Sequence, residues 1–170
     1  MKLIGSLVLC KGFALCRGHI TENDTYTYTM EDTSNNTKFS QIIYTLEGGG
    51  ELYDEDGKAV RKSGPREVND LREFYKKPYS YMAGQNGATW VCINPFPVDK
   101  FFDVKLIPGS TKSVMIEGEE GKENIIFCAE GLIVINNEKS LGQFNYAKVF
   151  KNSKASVLVP KGSVALHLSR

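Results

Sequence analysis

Apolar and polar residues along this chain change places every residue or two, in strand-length runs separated by Gly, Asn, Pro and Lys. Side chains of a strand point alternately to its two faces, so such alternation marks a half-buried strand; a helix needs apolar residues three and four apart. The clearest case is Thr25-Tyr26-Thr27-Tyr28-Thr29-Met30, where β-branched and aromatic residues alternate strictly. The same criterion predicts strands over 2–10, 13–17, 39–46, 51–53, 79–82 and 88–94. Short apolar or alternating runs separated by Gly, Asn and Lys turns predict further strands over 101–107, 112–117, 124–129, 132–136, 146–151, 155–160 and 163–169. One stretch departs from this pattern. Within 65–76, Val68, Leu71 and Phe74 or Tyr75 recur at helical spacing behind Pro65, a residue suited to a first helical turn. This is the one predicted helix, with a decorated loop as its alternative. The pattern predicts an all-β chain of antiparallel sheets, sandwich or barrel, with at most one or two short helices.

The chain also writes one strand twice. Ile42-Ile43-Tyr44-Thr45-Leu46-Glu47-Gly48 returns as Ile125-Ile126-Phe127-Cys128-Ala129-Glu130-Gly131, and each copy closes on Glu-Gly before a further run and a turn. Two similar β-rich halves are predicted, with Asn94-Pro95-Phe96-Pro97 interrupting regular structure between them, so the halves are 1–97 and 98–170. Gly48-Gly49-Gly50 invites comparison with a phosphate-binding loop, but that mechanism needs a helix beginning directly after the glycines. Glu51-Leu52-Tyr53 reads as strand instead, so the glycines are assigned to a bulge or tight turn. Trp90, the single tryptophan, is assigned to a core rather than to ligand stacking.

At these residues the chain resembles the cupin superfamily, small jelly-roll β-barrels. Tyr44-Thr45-Leu46-Glu47-Gly48-Gly49-Gly50-Glu51-Leu52 is similar to the end of the first cupin motif, and Val159-Pro160-Lys161-Gly162-Ser163-Val164-Ala165-Leu166-His167 to the second. In the first half, 84–93 is a looser counterpart of that second motif. The resemblance implies two cupin-like halves packed together, a compact bicupin. Metal-binding cupins place two His and a Glu in the first motif and a His in the second. Counted back from Gly48, the Glu position holds Gln41, behind Asn35, Asn36 and Thr37; counted back from Gly131, it holds Asn124, behind Glu119, Glu120 and Glu123. The second-motif His position falls on Ala165. The resemblance therefore implies a cupin scaffold without the usual metal centre and with no cofactor. Gln41, Tyr44, Asn124 and His167 are its candidate ligand-binding residues. His167, two residues beyond the expected ligand position, shares its strand face and is, with Tyr44, the candidate for catalysis.

Composition narrows the functions without choosing one. Hydrophobic residues make up 41% and charged residues 24%, ordinary for a globular domain, and no run reaches the length of a membrane-spanning helix. A net charge of +1 with scattered Lys and Arg gives no basic face for nucleic acid. Cys10, Cys16, Cys92 and Cys128 form no Cys-x-x-Cys pair and read as buried thiols, with a disulfide as the alternative; the first reading favours a reducing, cytoplasmic setting. The apolar start is short and cut by Lys11, so it reads as a first strand rather than a signal peptide; the sequons at Asn23 and Asn35 matter only in a secreted protein. His19 lies in a turn context without a visible partner, and 117–123 is a charged hairpin loop. The leading expectation is a non-catalytic binding or assembly module for a small molecule, a carbohydrate or a protein, self-association included, with no nucleic-acid or membrane partner. A metal-independent isomerase or epimerase acting on sugar nucleotides or related metabolites is the alternative. A metalloprotein using His167, Gln41 and the Glu119–Glu123 loop ranks third.

Overall fold

The computed structural model describes residues 8–10, 12–28, 40–97 and 99–170. The predicted strand positions 2–7, 29–30 and 39, and the Asn35 sequon, lie outside them. The chain divides into two compact units, Met1–Phe101 and Phe102–Arg170. Among the described residues, regular structure is β throughout apart from a single short 3-10 turn.

Unit 1 is one antiparallel sheet made of β1 (Val8–Cys10), β2 (Phe13–Ile20), β3 (Thr25–Tyr28), β4 (Ile42–Tyr53), β5 (Ala59–Ser63), β6 (Val68–Asp70) and β7 (Tyr79–Pro95). The path runs β1-β2-β7-β4-β5, with β3 added to β7 and β6 to β4. The long strands β4 and β7 pair along their length but change outer partners midway. One part of β4 is flanked by β6 and the other by β5; one part of β7 is flanked by β3 and the other by β2. Between these parts the β4–β7 register shifts twice, at Thr45/Glu47 and at Gly48/Gly50. Bulges bend a strand and raise its twist, so the glycine run folds one sheet into two facing leaves. Within the predicted strands 39–46 and 51–53, residues 42–46 and 51–53 are thus parts of one bent strand, as are 79–82 and 88–94.

The predicted helix over 65–76 is replaced by β6 and a 3-10 turn at Arg72–Phe74. Tertiary pairing overrides the spacing: the Thr45 amide donates to the Glu67 carbonyl at 3.0 Å and the Leu71 amide to the Gln41 carbonyl at 2.6 Å. Val68, Leu71 and Phe74 keep a three-residue rhythm that a short strand followed by a tight turn satisfies as well as a helix does. Leu71 and Phe74 are buried with Leu52 and Tyr79.

Unit 2 is a sandwich of two four-stranded antiparallel sheets. One holds β8 (Asp103–Pro108), β10 (Asn124–Glu130), β13 (Tyr146–Val149) and β15 (Val164–Ser169); the other holds β9 (Val114–Glu117), β11 (Leu132–Ile135), β12 (Lys139–Gly142) and β14 (Lys154–Leu158). Ile107, Ile126 and Ala165 from the first sheet meet Ile133, Val157 and Ile116 from the second in one aliphatic cluster. Each Ile or Val among them contributes roughly 1.5–3 kcal/mol through removal from water. The repeated segments are strands in both units, and their closing glycines take nearly the same left-handed backbone, φ 68° at Gly48 and 69° at Gly131.

Candidate functional site

The two leaves of unit 1 do not close on each other completely. Between them lies a cavity of about 90 Å³. Ile43 and Thr45 from β4, Trp90 and Cys92 from β7, and Cys16 from β2 line one side; Leu52, Ser63, Tyr79 and Tyr81 line the other. Strand alternation accounts for the selection: Ile43 and Thr45 share one face of β4, while Ile42 and Tyr44, both fully buried, point the opposite way.

Two glycines make room for the aromatic walls. A Cβ on Gly18, opposite Trp90 in the β2–β7 register, would stand 2.4 Å from the indole, so the ring lies across a bare stretch of backbone. A Cβ on Gly50 would stand 2.8 Å from the Tyr81 ring. Tyr81 and Trp90 consequently meet edge to face, with centroids 5.8 Å apart. The Tyr81 hydroxyl is 2.9 Å from the Ser63 hydroxyl. Burial raises the Tyr81 pKa above its ordinary value and the Ser63 contact offsets part of that rise, so the phenol stays protonated at neutral pH.

The two cations that line the cavity, Arg61 and Lys62, are paired. Arg61 donates to the Asp70 carbonyl at 2.8 Å and to the Glu73 carboxylate at 2.5 Å. Lys62 meets Glu51 at 2.9 Å, and Glu51 also accepts from Tyr53 at 2.7 Å. No His, Asp or Glu lines the cavity among the described residues. The surface offered to a ligand is aromatic and aliphatic, with hydroxyl, amide and thiol groups and the paired Arg61 and Lys62 side chains set into it.

The candidates chosen from the sequence fall elsewhere. The Gln41 side chain is buried and its amide donates to Asp70 at 3.3 Å, helping to hold β6 against β4. Tyr44 is buried on the face of β4 away from the cavity. Asn124 and His167 come together in unit 2: His167 Nε2 lies 2.9 Å from Asn124 Oδ1 across the β10–β15 ladder. A carbonyl oxygen only accepts, so the imidazole carries its proton on Nε2. The Asn124 amide nitrogen is buried without a partner. Sequence reasoning passed over Tyr81 and Ser63, and read Cys16 and Cys92 as buried thiols without setting them opposite each other. The only signal for them was their alternation within strands, which every residue of a strand shares.

His167 gives a pH prediction. Burial first, and the Lys105 cation second, lower its pKa below the ordinary 6.5. The folded state thus disfavours the charged ring, and the unfolded chain binds the extra proton as pH falls from about 6.5 toward the lowered value. Stability contributed by the neutral ring is present above that window and is lost on acidification through it. Urea midpoints measured between pH 7 and 5 should decline for the native chain, and His167→Gln should flatten the upper part of that decline. An unchanged profile would show that the ring titrates normally.

Among known proteins, no family profile matches the chain and no curated protein is similar in sequence. Solved structures do match in fold. HutD from Pseudomonas fluorescens superposes with a TM-score of 0.58 at 15% identity, covering 93% of this chain and 78% of that one. A cupin 2 conserved barrel domain protein from Leptotrichia buccalis gives 0.51 at 8% identity, over 99% and 88% of the two chains. A bacterial pirin from Escherichia coli, in complex with nickel(II), gives 0.54 at 10% identity, over 97% and 82%. The fold is that of the cupin barrels.

A metal is part of what that fold suggests, and the donor chemistry of the described residues does not fit one. Transition metals need several N, O or S ligands converging on a point. Among the described residues, no three His, Cys, Asp or Glu side chains converge in this way. On the interior face of unit 2, Asn124 and His167 engage each other, and Ile126, Cys128 and Ala165 sit beside them in the aliphatic cluster.

Proposed function

We propose that the protein is a non-catalytic small-molecule-binding module whose site is the cavity of unit 1. The observation that carries this reading is an opening between two sheet leaves, walled by Tyr79, Tyr81 and Trp90, in a scaffold whose other unit has an interior packed with aliphatic side chains. Ligand sites are concave and mostly apolar, with a few placed polar groups, and the Ser63–Tyr81 hydroxyl pair supplies such a group here. Because Arg61 and Lys62 already have carboxylate partners, the fitting ligand is neutral. The volume suits a single ring bearing one hydroxyl or carbonyl oxygen better than a carbohydrate. The absence of any lining carboxylate or imidazole among the described residues favours binding over acid–base chemistry, which needs a group able to exchange protons near neutral pH.

Phenol is a suitable probe, and the single indole N–H signal of Trp90 is a suitable reporter. Titration should shift that signal saturably, and Tyr81→Phe should weaken binding roughly 3- to 10-fold through loss of one hydrogen bond. A Trp90 signal indifferent to millimolar phenol would overturn the assignment of the site.

A further inference from the structure

We propose that Cys16 and Cys92 form a redox-active dithiol, which a low-molecular-weight disulfide converts into a cross-strand disulfide within unit 1. The inference does not depend on what the cavity binds. It rests first on register: Cys16 and Cys92 are direct partners in the antiparallel pairing of β2 with β7. Opposed residues in such a ladder hold their Cα atoms about 4.5–5.5 Å apart, inside the roughly 4.4–6.8 Å that a disulfide spans. It rests second on orientation, since both side chains line the same cavity and so leave the sheet on one face. Both are free thiols, and Ser40 hydrogen-bonds to each of them.

The two sulfurs are not equivalent. Cys16 is partly exposed, whereas Cys92 is buried. The hydrogen bond from Cys92 lowers the pKa of Cys16 against the opposing effect of burial. Cys92 is held well above the ordinary thiol value, by Cys16 first and by burial second. The thiolate is the attacking species in disulfide exchange, which makes Cys16 the attacking residue and Cys92 the resolving one. The Cys16 thiolate attacks one sulfur of the small disulfide, forming a mixed disulfide and expelling one small thiolate. Cys92 then yields its proton to that thiolate, and its sulfur displaces the second small thiol from Cys16. The dithiol loses two electrons and two protons, and the small disulfide gains them as two thiols.

Cys128 makes a useful internal contrast. Burial raises its thiol to about 11, and no cysteine stands opposite it in the β10–β13 or β10–β15 register.

The test exposes the native full chain to bis(2-hydroxyethyl) disulfide, blocks remaining thiols with N-ethylmaleimide and maps peptides without reduction. The expected product is a peptide joining Cys16 to Cys92, accompanied by a rise in melting temperature of roughly 5–10 °C from closing a long loop. Cys92→Ser should stop at the mercaptoethanol adduct on Cys16, and Cys16→Ser should leave Cys92 unmodified. Trp90 fluorescence verifies that each variant is folded; if a serine variant is not, alanine replaces it. In the folded native chain, an adduct that persists on Cys16, an unreactive Cys16, or a main linkage through Cys10 would each overturn the proposal.

Discussion

Replacing Gly48 by alanine should cost about 3 kcal/mol or more and leave unit 1 largely unfolded at moderate urea, while Gly57→Ala should cost only about 1 kcal/mol. Both glycines have left-handed backbones, φ 68° and 75°, so strain alone predicts similar losses. Space separates them. A Cβ on Gly48 would stand 2.0 Å from the Gly87 carbonyl oxygen and 2.8 Å from its carbon, backbone atoms fixed by the β4–β7 ladder; at Gly57 nothing lies within 4 Å. The difference matters for the site because Gly48 sits where β4 bends and the two leaves come to face each other. Urea unfolding followed at Trp90, the single tryptophan, measures both variants in unit 1 directly. Equal losses would mean that the close approach of Gly48 to Gly87 does not exist.

The second large effect belongs to unit 2. Ile126→Ala should destabilise that unit by roughly 3–4 kcal/mol, because a fully buried aliphatic side chain in a packed cluster leaves both a transfer cost and a void. Ile43→Ala, which removes the same atoms from a cavity wall in unit 1, should cost less, about 1–2 kcal/mol, since part of that side chain already borders open space. Circular dichroism during urea unfolding reads both. If Ile43→Ala proved the costlier change, the open and filled interiors would have been assigned to the wrong units.

The all-β architecture was legible because alternation is a local property, set by the pleat and by no distant partner. Thr25–Tyr28 and Asn124–Glu130 form strands where alternation or an apolar run indicated them. The strand at Lys139–Gly142 escaped notice, since Lys139-Ser140-Leu141-Gly142 carries one apolar residue and its pairing with β11 is a tertiary fact. The glycine run was legible as a bulge or tight turn, and the β4–β7 ladder carries β4 through it as a bulge; that the runs on either side belong to one strand was not, because that continuity is set by the pairing with β7. The site was harder still. Gln41, Tyr44, Asn124 and His167 were selected by counting positions from Glu-Gly and Pro-x-Gly, which fixes a place along a strand. That counting brought Asn124 and His167 within one hydrogen bond, because both lie on paired strands. It carries no information about where two sheet leaves fail to fill the space between them. Only the bend at the glycine run, together with the register that sets Cys16 beside Cys92 and Gly18 under Trp90, decides that Tyr81, Trp90 and Ser63 surround an opening.

Xenon under pressure seeks apolar space without requiring a chosen ligand. In a xenon-pressurised crystal of the full chain, anomalous density should appear between the leaves of unit 1, beside Ile43, Leu52 and Trp90, and be absent among Ile126, Ile133 and Val157. Density confined to that aliphatic cluster, or none beside Trp90, would contradict the claim that this protein keeps its binding space in the first unit.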